Sequence, residues 1–270
     1  KEKAARTGGG FFREIVPMNV RFLGTGTSTG VPQIGCRCDV CSSGDPRDNR
    51  LRASVMVEVG IRRLLIDCSP DFRQQVMPLP YRKIDGCLFT HEHYDHVGGI
   101  DDLRPFSRFG TVNLYMEAHL EEVIRLRMPY CFSPHGYKGV PDIRVQLIEP
   151  GKVFRVDEVE VTPIRVMHYK LPILGFRIGD FAYLTDVKTI PEGELEKLRG
   201  LDVLVISALR KTEHFSHQTL GEALSVIRVI NPGTAYLTHI SHELGLHAEV
   251  QQELPETVFL AYDGLEVVSR

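Results

Sequence analysis

Long apolar runs are missing from this sequence. No stretch approaches the roughly 20 consecutive apolar residues that a membrane-spanning helix needs. No basic start followed by an apolar run and a small-residue cleavage site opens the chain. We therefore expect a soluble, cytoplasmic protein with no membrane partner.

An excess of positive charge is missing as well. The formal net charge is −3 and the pI is about 6.4. Proteins that hold long nucleic acids neutralise phosphates with many Lys and Arg side chains, so this balance argues against such a partner. The local basic residues Arg47, Arg50 and Arg52 could still meet a small anion.

Cysteine is scarce, with six residues in a chain of 270, too few for a disulfide scaffold. Three of them share a C-x-C-x-x-C spacing, and thiolates that close suit a tetrahedral Zn²⁺. A closed zinc site needs a fourth ligand, which the neighbouring sequence does not offer. The other three stand singly in apolar contexts, which predicts buried, unreactive thiols. The clustered cysteines are Cys36, Cys38 and Cys41, and the single ones are Cys68, Cys87 and Cys131.

Histidine, by contrast, is concentrated in one place. Residues 90–96 read Thr-His-Glu-His-Tyr-Asp-His. The apolar run at 86–89 predicts a buried strand before them, and the small residues at 97–100 predict a turn leading to a helix. Three imidazoles and a carboxylate would have little reason to crowd together without a divalent ion. We predict a metal site just past the end of this strand.

Other predicted strands end in residues of the same kinds. Asp67, His168 and His239 each follow a predicted strand, and Asp186 ends one. The pattern Leu-x-Thr-His at 88–91 returns as Leu-Thr-His, ending at His239, which fits two similar halves that meet at a common edge.

A loop of small residues, 24–30, follows the first predicted strand. Its glycines allow the backbone to approach another segment or a ligand closely. It is not a dinucleotide-binding fingerprint, because no helix pattern or ribose-binding acid follows it. Thr27 or Ser28 could contact a phosphate there, and a plain tight turn is the alternative. At the other end of the chain, Asp263 is predicted to end the final strand before a short tail.

The motif His-x-His-x-Asp-His after a strand resembles the metal-binding motif of the metallo-β-lactamase superfamily, and later residues match that family in order from Met18 onward. The resemblance implies an α/β fold, a four-layer αββα sandwich, with a two-metal site at the shared edge of its sheets. A single domain at 18–270 is expected, since the length suits one large core. Residues 1–17 are set apart as a flexible extension or an expression remnant.

The resemblance also implies how the site is built. Asp67 would support the metal-binding loop from behind without touching the ions. Nitrogen and oxygen donors suit Zn²⁺ and Mn²⁺ alike, so the metal is not fixed. The implied ligands of the two divalent ions are His91, His93 and His168 for one, Asp95, His96 and His239 for the other, and Asp186 for both.

Finer matches point to a branch of the family. The runs at 23–26, 35–41 and 238–242 are similar to the branch that contains the cyclic-phosphate phosphodiesterase of phosphonate breakdown. That likeness implies a small, cyclic phosphodiester as substrate, attacked by a metal-activated water. It also implies His242 as the missing fourth ligand of a structural zinc ion, with Cys36, Cys38 and Cys41 as the other three.

Two residues are the candidate catalytic groups. Asp95 belongs to the metal-binding motif, and His217, predicted to open a helix, is placed where related enzymes keep a histidine that protonates the leaving oxygen. His214 is the alternative for that role, since either histidine could reach the cleft.

Other readings stay open. Relatives linked to pyrroloquinoline quinone biosynthesis share the cysteine cluster, and a thioester or lactone hydrolase is another possibility. A 3′ tRNA-processing endonuclease normally adds a basic, Gly/Pro-rich arm, and no convincing one is seen. A metal-binding module without turnover is opposed by the complete ligand set. The broken stretch 128–141 is either a lid or a surface loop, and a homodimer is left open.

Overall fold

The computed structural model describes residues 18–132 and 139–269. The extension expected at 1–17 lies outside the described residues, as does part of the loop at 128–141. The strands are β1 Met18–Gly24, β2 Ser54–Val59, β3 Arg62–Ile66, β4 Gly86–Leu88, β5 Val112–Met116, β6 Ile143–Leu147, β7 Phe154–Val156, β8 Val159–His168, β9 Leu171–Ile178, β10 Phe181–Leu184, β11 Val203–Ser207, β12 Thr234–Thr238, β13 Val258–Leu260 and β14 Glu266–Ser269.

Helices connect many of these strands. None of those in the described ranges has both the length and the apolar sequence that crossing a bilayer requires. The α-helices are α1 Phe72–Val76, α2 Tyr94–Val97, α3 Ala118–Arg127, α4 Glu192–Leu195, α5 Leu220–Ile230 and α6 His247–Glu253, and the 3₁₀ segments are Pro46–Asp48, Ile100–Phe109, Pro129–Phe132, Glu196–Leu198 and His242–Leu244.

The strands form two sheets of seven. Their orders are β14-β1-β2-β3-β4-β5-β6 and β13-β12-β11-β10-β9-β8-β7. In the second sheet, β10 and β11 are buried along their whole length. Helices cover one of their faces and the first sheet covers the other, which is why these strands are continuously apolar.

Buried apolar side chains divide into three cores. The middle core joins the facing sides of the two sheets, with Phe22 and Val57 of the first near Phe176 and Tyr183 of the second. One outer core packs α1, α3 and the long 3₁₀ segment on the first sheet, and the other packs α5 and α6 on the second. This order of layers confirms the predicted αββα sandwich of the α/β class.

The loop of small residues after β1 ties the two sheets together. Gly26 pairs with Arg52 on one side and with Ile240 on the other. A Cβ atom at Gly26 would lie 2.8 Å from the carbonyl oxygen of Arg50, so glycine is required here. The close approach predicted for this loop is therefore an approach to backbone of both halves.

The prediction for the C-terminal end was wrong. β13 ends at Leu260, and Asp263 lies in the turn that follows. Glu266–Ser269 form a further strand, β14, on the edge of the first sheet, where Val267 pairs with Val20. So short a segment carries little periodic signal, and its pairing is decided by the edge that β1 offers.

Candidate metal centre

The seven predicted metal ligands meet at one edge of the two sheets, each at or just beyond the end of a strand. Strand ends that point to a common edge bring together side chains that are distant in sequence. The seven are His91, His93, Asp95 and His96 in the loop and short helix after β4, His168 at the end of β8, Asp186 beyond β10 and His239 beyond β12.

Two carboxylates and two imidazoles form one half of this centre. Nε2 of His96 lies 3.1 Å from Oδ2 of Asp95 and 3.1 Å from Oδ2 of Asp186. Nε2 of His239 lies 3.5 Å from Oδ2 of Asp95 and 3.3 Å from Oδ1 of Asp186. Each carboxylate therefore faces both imidazoles, and Asp186 uses its two oxygens in different directions.

Three further histidines lie beside it, although His93 belongs to none of the close donor groups given below. The ring of His93 lies 4.5 Å from that of His91 and 5.2 Å from that of His168, measured between centroids. Donor atoms within 4.8 Å of one another form three overlapping groups in the described chain. These groups are His91, His96 and Asp186; Asp95, His96 and His239; and His168, Asp186 and His217.

The donor atoms are those that a metal ion would need. Nε2 of His91, His96 and His239 is buried in each case and has no hydrogen-bond partner. A buried polar atom left without a partner costs free energy, and native proteins rarely keep one. Coordination of divalent ions by these nitrogens and by the two carboxylates would satisfy them, so the residues fit a two-metal site.

A chain of hydrogen bonds turns these nitrogens toward the centre. The Thr90 hydroxyl donates to Asp67 Oδ2 at 2.9 Å, so it can only accept from Nδ1 of His91, 2.9 Å away. Nδ1 of His96 donates to Asp67 at 2.7 Å, and Nδ1 of His168 donates to the carbonyl of Ser216 at 2.9 Å. In each histidine this leaves the Nε2 lone pair free for an ion, and Asp67 supports the loop from behind.

The electrostatics favour ionised acid at this centre and act in opposite directions on two of its histidines. Burial lowers the pKa of His91 well below its usual value. Burial also lowers the pKa of His96, but the neighbouring carboxylates outweigh it and raise that pKa well above its usual value. Burial alone would raise the pKa of Asp95, but the imidazoles of His96 and His239 outweigh it and hold that pKa far below its usual range. The same two imidazoles depress the pKa of Asp186 against its burial. Ionised carboxylates in so buried a place are suited to a cation.

The backbone is strained at three of the strand ends. Asp67, Asp186 and His239 have φ values of 60°, 55° and 55°, in the left-handed region. Residues other than glycine held there cost of order 1–3 kcal/mol each. Each lies just beyond a strand, so this turn redirects its side chain toward the shared edge. The sequence did not indicate these left-handed conformations, because none of the three residues is a glycine.

His217 lies in this centre but not on a helix. α5 begins at Leu220, and Thr219 caps it through a capping box with Glu222. The helix was expected to open at His217, which lies two residues before this N-cap. Nδ1 of His217 is buried without a hydrogen bond, 3.7 Å from Oδ1 of Asp186. His214 lies further out, where its ring stacks on Phe215 at 4.8 Å. Of the two candidates, His217 is the one beside the predicted ligands.

A cavity of about 490 Å³ opens over the centre. Five of the predicted ligands, together with His217, form its floor: His93, Asp95, His168, Asp186 and His239. Its mouth carries residues that sequence reasoning missed, because nothing in their local pattern sets them apart from surface residues. These are Tyr169, Lys170, Leu171 and Phe215. Ser28, which the sequence analysis named with Thr27 as a candidate phosphate contact, also lines the cavity.

The second predicted site is also brought together. The sulfur atoms of Cys36, Cys38 and Cys41 and a ring nitrogen of His242 all lie within 4.8 Å of one another. Nδ1 of His242 is 3.3 Å from Sγ of Cys38. The backbone N–H of Cys41 and then the ring of His242 lower the pKa of Cys38 to about 6, which favours the thiolate that zinc binds. The three remaining cysteines are buried, as predicted.

The three arginines that were candidates to meet an anion contact other groups of the protein. Arg47 pairs with Asp45 at 2.7 Å and Arg52 with Asp71 at 2.7 Å. Arg50 is buried, and it donates to the Ala261 carbonyl at 2.6 Å and to the Thr25 hydroxyl at 2.8 Å. These contacts join the segment after the cysteine cluster to both halves of the fold, and they occupy the Arg50 guanidinium with neutral acceptors.

Comparison with known proteins shows the family to which the chain belongs. A family model of the beta-lactamase superfamily domain matches residues 62–240. The chain is 39% identical to the crystal structure of a new diphosphatase from the PhnP family, with a TM-score of 0.87 over 93% of this chain and 97% of that one.

Two curated relatives are longer proteins. An octanoyltransferase of Porphyromonas gingivalis is 43% identical over 254 residues, which cover 93% of this chain and 51% of that protein. Coenzyme PQQ synthesis protein B of Methylorubrum populi is 33% identical over 165 residues, covering 50% of this chain and 54% of that protein. The matches thus span about half the length of these two relatives.

Proposed function

The chain belongs to the beta-lactamase superfamily and has the metallo-β-lactamase fold. From this premise we propose that it is a hydrolase that cleaves small phosphodiesters, cyclic ones included, at a two-metal site. One observation carries the proposal: nitrogen and carboxylate donors from both halves of the fold converge, and three buried Nε2 atoms among them lack partners.

The chain's own residues would hold and orient the reactants. Two bound divalent ions would supply a water of lowered pKa and stabilise charge on the phosphoryl oxygens. Asp186 lies near His239 and also groups with His168, one of the three further histidines, while Asp67 and Thr90 keep the histidine rings in one orientation. His217, on the same cavity floor, is the proposed donor of a proton to the leaving oxygen.

The substrate class is supported by size and by likeness. A cavity of about 490 Å³ suits a small diester better than a folded RNA. The PhnP-family structure bears the name of a diphosphatase, so a diphosphate linkage is a second bond to test in the same site. The cysteine cluster with His242 is proposed to hold a structural Zn²⁺ that steadies the loop carrying the three cysteines.

The proposal is tested with the purified protein after chelation and reloading with Zn²⁺ or Mn²⁺. Bis(p-nitrophenyl) phosphate, a 2′,3′-cyclic nucleotide and a dinucleoside diphosphate are offered beside a thioester and a lactone. Metal-dependent cleavage of a phosphodiester is the expected result. Activity that survives chelation, or cleavage of the thioester or lactone alone, would overturn the proposal.

A further inference from the structure

Two aromatic side chains stand at the cavity mouth without a role in the proposed hydrolysis. Tyr169 is 52% exposed and Phe215 is 69% exposed, although both line the cavity. Their ring centroids lie 5.7 Å apart with the planes nearly perpendicular, at 86°. Tyr169 follows His168 directly and Phe215 lies two residues before His217, so both rings are fixed close to the centre.

Tyr169 occupies a position that its side chain does not favour. With Lys170 it forms the two-residue turn between β8 and β9, in which His168 pairs with Leu171. Two-residue turns favour Gly, Asn or Asp at their first central position, because that position takes a positive φ. Tyr169 has φ +55°, a conformation that is uncommon for a bulky residue. A strained residue beside an active site points to a use for its side chain.

The neighbours of both rings favour a planar, anionic ligand. The His214 ring stacks on Phe215 at an interplanar angle of 27°, which supports Phe215 in an exposed place. Nζ of Lys170 lies 5.3 Å from the centroid of the Tyr169 ring and brings positive charge to the mouth. Exposed rings in a concave site offer faces for stacking, and every nucleic-acid base has a matching face.

We propose that Tyr169 and Phe215 form a base-stacking subsite, so that the substrates of this centre are nucleotides whose base is held at the mouth while the phosphate reaches the cavity floor. The inference rests on the proposed hydrolysis for its choice of substrate. The perpendicular rings allow a base to stack on one ring and meet the other edge-on.

Binding and turnover test this separately on the metal-loaded protein. Dissociation constants of adenosine 3′-monophosphate and of glycerol phosphate are measured by calorimetry. Turnover is measured with adenosine 2′,3′-cyclic phosphate and with glycerol 1,2-cyclic phosphate, which has no base. Phe215→Ala and Phe215→Trp are compared, and Tyr169→Gly removes the other ring while accepting the positive φ without strain.

Loss of stacking is expected to weaken nucleotide binding by roughly five- to hundredfold in Phe215→Ala and Tyr169→Gly, while Phe215→Trp retains it. The preference for the nucleotide over the base-free substrate should fall by a similar factor. Ile61→Ala, an exposed apolar position in the turn at the far end of β3, serves as the control and should change neither quantity.

Two outcomes are kept apart by this design. If the wild-type protein cleaves neither cyclic phosphate, the proposed function fails. If it cleaves both and the ring variants bind adenosine 3′-monophosphate as tightly as the wild type, the stacking subsite alone is overturned.

Discussion

Nδ1 of His96 donates a hydrogen bond of 2.7 Å to Asp67, and both side chains are fully buried. Asp67 also accepts from the backbone N–H of Thr90 at 2.9 Å. One carboxylate thereby fixes the loop that carries four of the predicted ligands and selects the nitrogen that His96 presents. Asp67 lies behind the centre, and its influence on metal binding passes through these contacts.

Asp67→Asn is expected to weaken metal binding at the proposed two-metal site by about 10- to 100-fold. The amide can adopt the same backbone conformation, but it accepts less strongly from His96 and loosens the ring. Metal titration followed by elemental analysis measures the change. Asp85→Asn is the matched control, because Asp85 is a buried acid that precedes β4 at the opposite end. Equal metal affinity in both variants would contradict the positioning role.

Cys38→Ser is expected to remove one zinc ion per chain and to lower the melting temperature, since a structural zinc site contributes directly to folding. Ligands at the two-metal centre should keep their ions. Cys131→Ser, at a buried cysteine outside the cluster, is the control and should keep its zinc. An unchanged zinc content in Cys38→Ser would show that the four residues do not bind the metal.

His217→Ala separates two roles that the geometry allows. If His217 donates a proton, the loss of kcat should be largest for esters with poor leaving groups such as methanol and small for p-nitrophenol. Roughly 100-fold or more is expected for the poor leaving group. If His217 instead holds a metal with His168 and Asp186, the variant should lose metal and slow both esters alike. The metal content of the same preparations distinguishes these results.

His247 makes stability depend on pH. Burial, aided by Arg50 and Arg47, lowers its pKa from 6.5 to about 4. Nδ1 of His247 lies 3.1 Å from Nη2 of Arg50, the backbone N–H of His247 donates to Asp48, and the Tyr262 ring packs at 5.8 Å. Between these pKa values the unfolded chain binds more protons, so the free energy of unfolding falls as the pH drops from about 6.5 to 4.

Denaturant unfolding at several pH values, with the wild type and His247→Gln, measures this dependence. The wild type should lose stability relative to the variant as the pH falls through that window. Burial raises the pKa of Asp263 to about 6, which acts with opposite sign but is common to both proteins. His119→Gln, at an exposed histidine of α3, should track the wild type. Parallel curves for His247→Gln and the wild type would refute the prediction.

Much of the candidate centre could be predicted because its signals are local. The His-rich loop, the strand before it and the polar residues at other strand ends are visible within a few residues of sequence. The buried single cysteines follow from their apolar neighbours in the same way. The sequence did not predict the short strand β14, the start of α5 or the burial of Arg50. These features depend on contacts and not on a local pattern, and those of β14 and Arg50 are with residues far along the chain.

The sequence by itself determined the kinds of donor, their order and the strand ends on which they sit, because alternation and turn residues are short-range properties. Only the tertiary structure decided which donors share a place, that His217 lies beside Asp186, and that Tyr169 and Phe215 meet over the cavity. Such distances join residues separated by tens of positions or more. They are set by how the two sheets pack and by left-handed turns at non-glycine residues, neither of which a local pattern encodes.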